Sequence, residues 1–231
     1  MRKQLDLSGL DLRGARLRGA SLCGATLSDS WLTGADLAGA DLCEAYLNRT
    51  WLDASILDGA ELVSASLHSA QLYAGSLRSA KLREADLRQA DLRLANLSHA
   101  DMTEAYLSEA NLSEAQLEVT VLAAATIDFC DLRRANVAGA DLTEAHLAGT
   151  DLSDAILDGA DLRNANLAGG TLKRVSFAGA DLRGANLSGV DLRSANLQGA
   201  RLTGADLTGT NLRGLDRSLL RGVDTSQAET D

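Results

Sequence analysis

A single five-residue frame runs the length of this chain. Stepping by five from Leu7 to Leu212 gives 42 positions, all Leu except Met102, Ile127, Val137 and Phe177. Two residues before each stands a small residue, usually Ala, as at Ala15, Ala20 and Ala25. On an α-helix, five residues turn through about 500°, so these leucines would spiral round every side. On a flat strand an odd period would send them to alternate faces. The period therefore predicts a corner every five residues, with Ala and Leu pointing inward across a short extended piece. Four corners close a square coil of 20 residues, and such coils stack through backbone hydrogen bonds.

The turn chemistry agrees. The second residue after the central Leu is Gly in stretches such as DLRGANLSG, where a type II turn needs positive φ. From Ser64 to Arg134 that position is never Gly. Turns there are expected to shift away from type II, toward type I or irregular forms.

ADLRG, ANLSG, ADLTG and ADLAG resemble the pentapeptide-repeat family, whose pattern is A(D/N)LxG, across residues 5–214. The resemblance implies an all-β fold, a right-handed quadrilateral β-helix (pentapeptide-repeat solenoid). The 42 repeats make about 10.5 coils, or roughly 50 Å of rod at ~4.8 Å per coil. Each buried Leu contributes about 1.5–3 kcal/mol relative to exposure, so the Leu ladder is the expected main source of stability. Coils touch only their neighbours, so the ends need covering.

The frame ends where Arg217 stands in place of Leu. Domain boundaries follow: a β-helix over 1–214, a short C-terminal cap helix over 215–223 and a disordered tail over 224–231. Asp216 would cap the helix, with Leu215, Leu219, Leu220 and Val223 as its apolar face. Either that face only covers the last coil, or it also forms a homodimer, as caps of some family members do.

The net charge of -10 argues against free nucleic acid as a partner. No apolar run is long enough to cross a membrane. The start, MRKQLDLSGLDL, lacks the apolar region of a signal peptide, which points to the cytoplasm. Cys23 and Cys43, 20 residues apart, should stack on adjacent coils as free thiols, and Cys130 takes an inward small site. His68, His99 and His146 form no metal set, no catalytic triad or phosphate loop is visible, and a Leu-filled interior leaves no substrate cavity. The expectation is a non-enzymatic protein without a cofactor or metal.

Function then belongs to the outside. Residues 20 apart share a face, and one face reads Ser21, Asp41, Glu61, Lys81, Asp101, Val121, Asp141, Asp161, Asp181, Arg201. Glu104 and Glu144 adjoin it. Between Asp101 and Asp161 thirteen acids face only Arg133 and Arg134, a charge density close to that of duplex DNA, which carries about one charge per 1.7 Å. Family-typical Asp before the central Leu accounts for part of this belt, but not the corner glutamates. A second candidate patch joins Trp31 and Trp51 with Tyr46 and Ile56; the pair is either a contact surface or a mutual stack. Arg78, Arg83, Arg88 and Arg93 read as a solvated, salt-bridged ring.

The segment 106–132 keeps the inward frame but turns apolar outside, at Val119, Val121, Ala123, Ala124 and Phe129. An apolar centre within a charged surround is the anatomy of an interface. The expected partner-binding residues are Asp101, Glu104, Val121, Phe129, Asp141, Glu144 and Asp161. The resemblance implies a DNA-mimicking role in bacteria, closest to loop-free members that occupy the DNA-binding saddle of DNA gyrase or topoisomerase IV and protect it from quinolone or natural-product poisons. The alternative is an interaction scaffold or structural rod for another partner.

Overall fold

The computed structural model of the protein describes residues 5–215 and 224–230. A residue on each face pairs in parallel with the residue 20 positions on: Thr26 with Tyr46, Trp31 with Trp51, Asp36 with Ile56, and Asp41 with Glu61. The four bridges lie five residues apart, so the coil is four-sided as the period demands. Each side of each coil holds one bridged residue rather than a strand of several. The quadrilateral solenoid is thus all-β in its pairing without continuous strands.

Three hydrogen bonds per side lock neighbouring coils. Thr26 N–H donates back to the Leu5 carbonyl at 2.9 Å, while the N–H groups of Leu27 and Asp29 donate forward to Tyr46 and Asn48 at 2.7 and 3.0 Å. Each corner closes on itself, as where Ala25 N–H donates to the Leu22 carbonyl at 2.9 Å. Inside, the Leu ladder is fully buried from Leu27 onward, with Ala filling the corners. Around Leu107–Leu157 the interior leaves a void of only ≈ 10 Å³, about one water's worth at most and lined by nothing polar. Where Thr replaces the inward Ala, its hydroxyl finds a fixed partner. Thr50, Thr120, Thr150 and Thr210 each donate to the carbonyl 23 residues earlier, at 2.7–3.0 Å. Cys130 makes the same contact, its Sγ donating to the Leu107 carbonyl at 2.9 Å.

Two expectations need correction. The turns over 64–134 do not change type. All 15 corner residues from Ser64 to Arg134 sit in the left-handed region with φ between 53° and 63°, beside 63–75° at the corner glycines. The inter-coil ladder wins: a different turn would break the N–H bond that each corner donates to the next coil, and a left-handed residue costs only about 1–2 kcal/mol. Within the tail expected to be disordered, Thr225–Glu229 instead pairs with the last coil. Glu229 bridges Asn211, Gly209 N–H donates to the Gln227 carbonyl at 2.8 Å, and Ala228 packs on the core. Thr225–Glu229 thus forms one more side of the coil, with Ala228 as its inward small residue. Its register is 18 residues instead of 20. Of the expected cap, Leu215 packs against the core; Leu219, Leu220 and Val223 lie outside the described residues.

Candidate protein-binding surfaces

The parallel ladder aligns the predicted stripe on one face: Lys81, Asp101, Val121, Asp141, Asp161, Asp181 and Arg201 bridge in succession. The carboxylates along it are largely occupied locally. Asp101 accepts from Thr103 N–H at 3.1 Å and Oγ1 at 2.6 Å, and Asp141 does the same with Thr143 at 3.0 and 2.6 Å. These short loops follow from Asp one residue before Leu and Thr one residue after it. Asp161 is held by Arg163 at 2.6 Å, and that hydrogen bond lowers its pKa.

Glu104 and Glu144 behave differently. They stand at the corner that follows this face, left-handed at φ 57° and 59° and exposed, and their carboxylates have no hydrogen-bond or ion-pair partner among the described residues. From Asp101 to Glu144, the two faces meeting at that corner carry Asp101, Glu104, Glu109, Asp128, Asp141 and Glu144 and no Lys or Arg. The cations of the belt lie across the rod. At the diagonal corner Arg134 pairs with Glu114 at 2.8 Å and Arg174 with Asp154 at 2.5 Å, an alternating column of opposite charges. Between Asp101 and Glu144 the belt is therefore polarised across its width, and Arg83 on Asp101 and Arg163 on Asp161 bound the acidic stretch at either end. Reading the corner positions at a spacing of 20 would have shown this in the sequence; the list of acids along the chain hides it.

The apolar centre is spread rather than gathered. Val121 lies half-buried on the acidic face. Phe129 lies at the next corner but one, 69% exposed, its ring against Gly149 so closely that a Cβ there would come within 2.6 Å. Val119 is 53% exposed at the corner before the face, over Gly139. Together they frame the acidic face and its neighbour.

Trp31 and Trp51 stack at 5.4 Å and 23°. Tyr46 and Ile56 belong to the faces on either side, which oppose each other across the square, so the four do not form one flat patch. Of the arginine ring, Arg88 and Arg93 pair with Asp86 and Asp91 at 2.7 and 2.6 Å, Arg83 approaches Asp101 at 3.9 Å, and Arg93 also lies over Tyr73. The Cys43 thiol is pushed up in pKa, chiefly by burial, and Cys23 is exposed. Among the described residues no His, Cys, Asp and Glu group has metal-binding geometry, and no helix is long and apolar enough to cross a membrane.

The described residues thus form a closed solenoid with a Leu-filled interior and its charged side chains outside. The pentapeptide-repeat family model ("Pentapeptide repeats") matches in 8 copies, over residues 4–39, 24–59, 76–108, 100–137, 136–174 and 176–214. The chain belongs to the pentapeptide-repeat family, and the right-handed quadrilateral β-helix is that family's fold. Among solved structures it is similar to HetL, a pentapeptide repeat protein involved in heterocyst differentiation regulation in the cyanobacterium Nostoc. The two share 31% identity over 87% of this chain and 89% of that one, with a TM-score of 0.52. It also resembles QnrB1, a plasmid-mediated fluoroquinolone resistance protein, at 21% identity over 99% of this chain and 90% of that one, with a TM-score of 0.45. A comparison with curated proteins finds no match.

Proposed function

We propose that the protein is a non-enzymatic rod that binds the cationic, DNA-binding groove of a partner protein in place of duplex DNA, the partner being a type II topoisomerase such as DNA gyrase. The observation that carries this reading is the pair of exposed corner carboxylates of Glu104 and Glu144, which have no ion-pair partner among the described residues and stand beside Asp101 and Asp141 along the rod axis. A groove shaped for a DNA duplex offers a row of Lys and Arg to such an edge, and matched charge rows set approach rate and register. Val121 on the acidic face, and Val119 and Phe129 at its sides, supply the apolar contact that excludes water from the pairs.

Bound as proposed, the protein at low salt inhibits gyrase supercoiling or protects it from a quinolone. Glu104→Gln with Glu144→Gln weakens that effect at least tenfold. Absence of any binding, inhibition or protection at low salt would sink the reading.

A second reading is a protein-interaction scaffold with an unrelated partner. It is favoured by the exposed Trp31–Trp51 stack, which lies on a different face from the acidic stripe. Trp31→Ala with Trp51→Ala then abolishes capture of that partner and leaves any gyrase effect intact.

A further inference from the structure

The inter-coil ladder is interrupted on one side of one coil. Thr171 and Asp191 should bridge and do not. Leu172 and Asp191 N–H groups have no acceptor, and the carbonyls of Gly170, Asp191 and Arg193 have no donor, among the described residues. Arg174 N–H turns instead to the Ser194 hydroxyl at 3.0 Å. Ser194 is also the only described corner residue from Gly9 to Gly214 outside the left-handed region. The adjoining sides are intact, with Leu167 N–H donating to Asn186 and Phe177 N–H to Asn196, both at 2.8 Å. On the coils beyond, Leu152 N–H donates to Thr171 at 2.8 Å and Leu192 N–H to Asn211 at 3.0 Å, while the corner N–H of Ser194 has no backbone acceptor among the described residues.

Its cause is in the sequence. Val175 and Val190 occupy inward sites that hold smaller residues in the neighbouring coils, Ala155 and Ala195 beside Val175 and Gly170 and Thr210 beside Val190, and Phe177 takes a Leu site. All three are buried in this coil. Overfilled cores relieve themselves by backbone shifts. The result is a cleft of ≈ 590 Å³ between the two coil edges, walled by Thr171, Lys173, Arg193 and Ser194. Its floor stays closed, since Leu172 and Leu192 remain buried.

We propose that this cleft is a docking site for an extended peptide segment carrying an acidic side chain. The free groups decide the class of occupant. A simple anion satisfies the two donors and leaves three carbonyls bare, whereas a peptide backbone supplies donors and acceptors in alternation, as a strand added to a sheet edge does. Charge decides the side chain. Lys173 forms no ion pair among the described residues, and the nearby Asp154 is already paired to Arg174. Arg193 is spoken for by Asp191 at 2.7 Å. An acid on the incoming strand therefore meets Lys173. The chain's own Thr225–Glu229 shows that a short isolated segment of this type pairs with an open coil edge.

The test uses the full-length protein and, as probe, the capped hexapeptide TSQAET, matching Thr225–Thr230, followed by amide NMR and hydrogen exchange. In the free protein, Leu172 and Asp191 amides are expected to exchange at least 100-fold faster than the amides of Leu152 and Asp151. Added peptide slows both at least tenfold and shifts their resonances. Lys173→Gln weakens peptide binding several-fold with an unchanged melting temperature, and Val175→Ala with Val190→Ala closes the cleft and abolishes it. Slow exchange at Leu172 and Asp191 in the free protein overturns the proposal. So do shifts confined to Gly209 and Leu212, where the probe would merely displace the tail, or the same response to inorganic phosphate alone.

Discussion

At the residue scale, the corners hold the molecule's stored strain. Among the described residues, twenty-three other than glycine adopt positive φ, the 15 corners from Ser64 to Arg134 in unbroken succession. Such outliers persist where the surroundings over-determine them, and they concentrate at functional sites. Here the gain is a side chain at the corner, the most prominent point of a square rod. Glu104, Val119 and Phe129 all stand on such corners. Ala74 at φ 53° places only a methyl there, so Ala74→Gly should raise stability by about 0.5–1 kcal/mol in urea melts, after the entropy of the extra glycine is subtracted. Gly59→Ala should cost a similar amount through φ alone, since nothing lies within 4 Å of the added Cβ. Cys130 makes a second prediction. Burial pushes its thiol up to about 12. The folded state therefore favours the protonated thiol, so its stabilising contribution is whole below the ordinary thiol value of about 8.5 and is lost as pH rises from there toward 12. Cys130→Thr keeps the carbonyl bond seen at Thr150 and removes that loss. Its unfolding free energy should fall less steeply above pH 9 than that of the parent protein.

At the scale of a coil, inside and outside are separable. The inward Leu and Ala form one continuous buried cluster, so outward substitutions should leave the ladder intact. Val121→Lys with Phe129→Ala should weaken partner binding while shifting the melting temperature by no more than about 2 °C, as for surface changes of roughly 0.5 kcal/mol. Leu122→Ala, one residue from Val121 but buried, should cost about 2–5 kcal/mol. This separation also explains what the sequence made legible. The fold could be read because Leu recurs at every fifth position and Ala two before it, and the stripe from Asp101 to Asp161 could be read because a 20-residue step maps onto one face. The turns at Ser64–Arg134 were misread because local preference for glycine was weighed against nothing, whereas in the solenoid each corner amide is claimed by the next coil. The diagonal column of Glu114, Arg134, Asp154 and Arg174 was missed because a count of acids along the chain ignores which corner each occupies. The cleft beside Thr171 was missed for the opposite reason: Val175, Phe177 and Val190 look like conservative exchanges one by one and overfill only together.

At the scale of the whole rod, the two ends are unlike. The first coil leaves Leu5 and Leu10 nearly half exposed, while the last is covered by Leu215 and Ala228. Truncation after Gly214 removes the bonds from Gly209 and Leu212 to the tail and uncovers the apolar end. The melting temperature should drop by several degrees, and light scattering on the same pair of proteins reads the oligomer directly. A halved mass assigns the dimer contact to the segment after Gly214, and an unchanged mass limits that segment to covering the end.

The 20-residue ladder also governs how such a chain can change length. Deleting one five-residue repeat keeps every Leu inward, yet it turns all later faces by a quarter revolution against the earlier ones. Asp141 and Asp161 would then no longer share a side with Asp101, and the acidic edge would break at the deletion. Deleting 20 residues shortens the rod by one coil and leaves every column in line. Relatives that keep the surface while differing in length should therefore differ by whole coils, whereas relatives of this fold that differ by five, ten or fifteen residues present a different molecule to any partner.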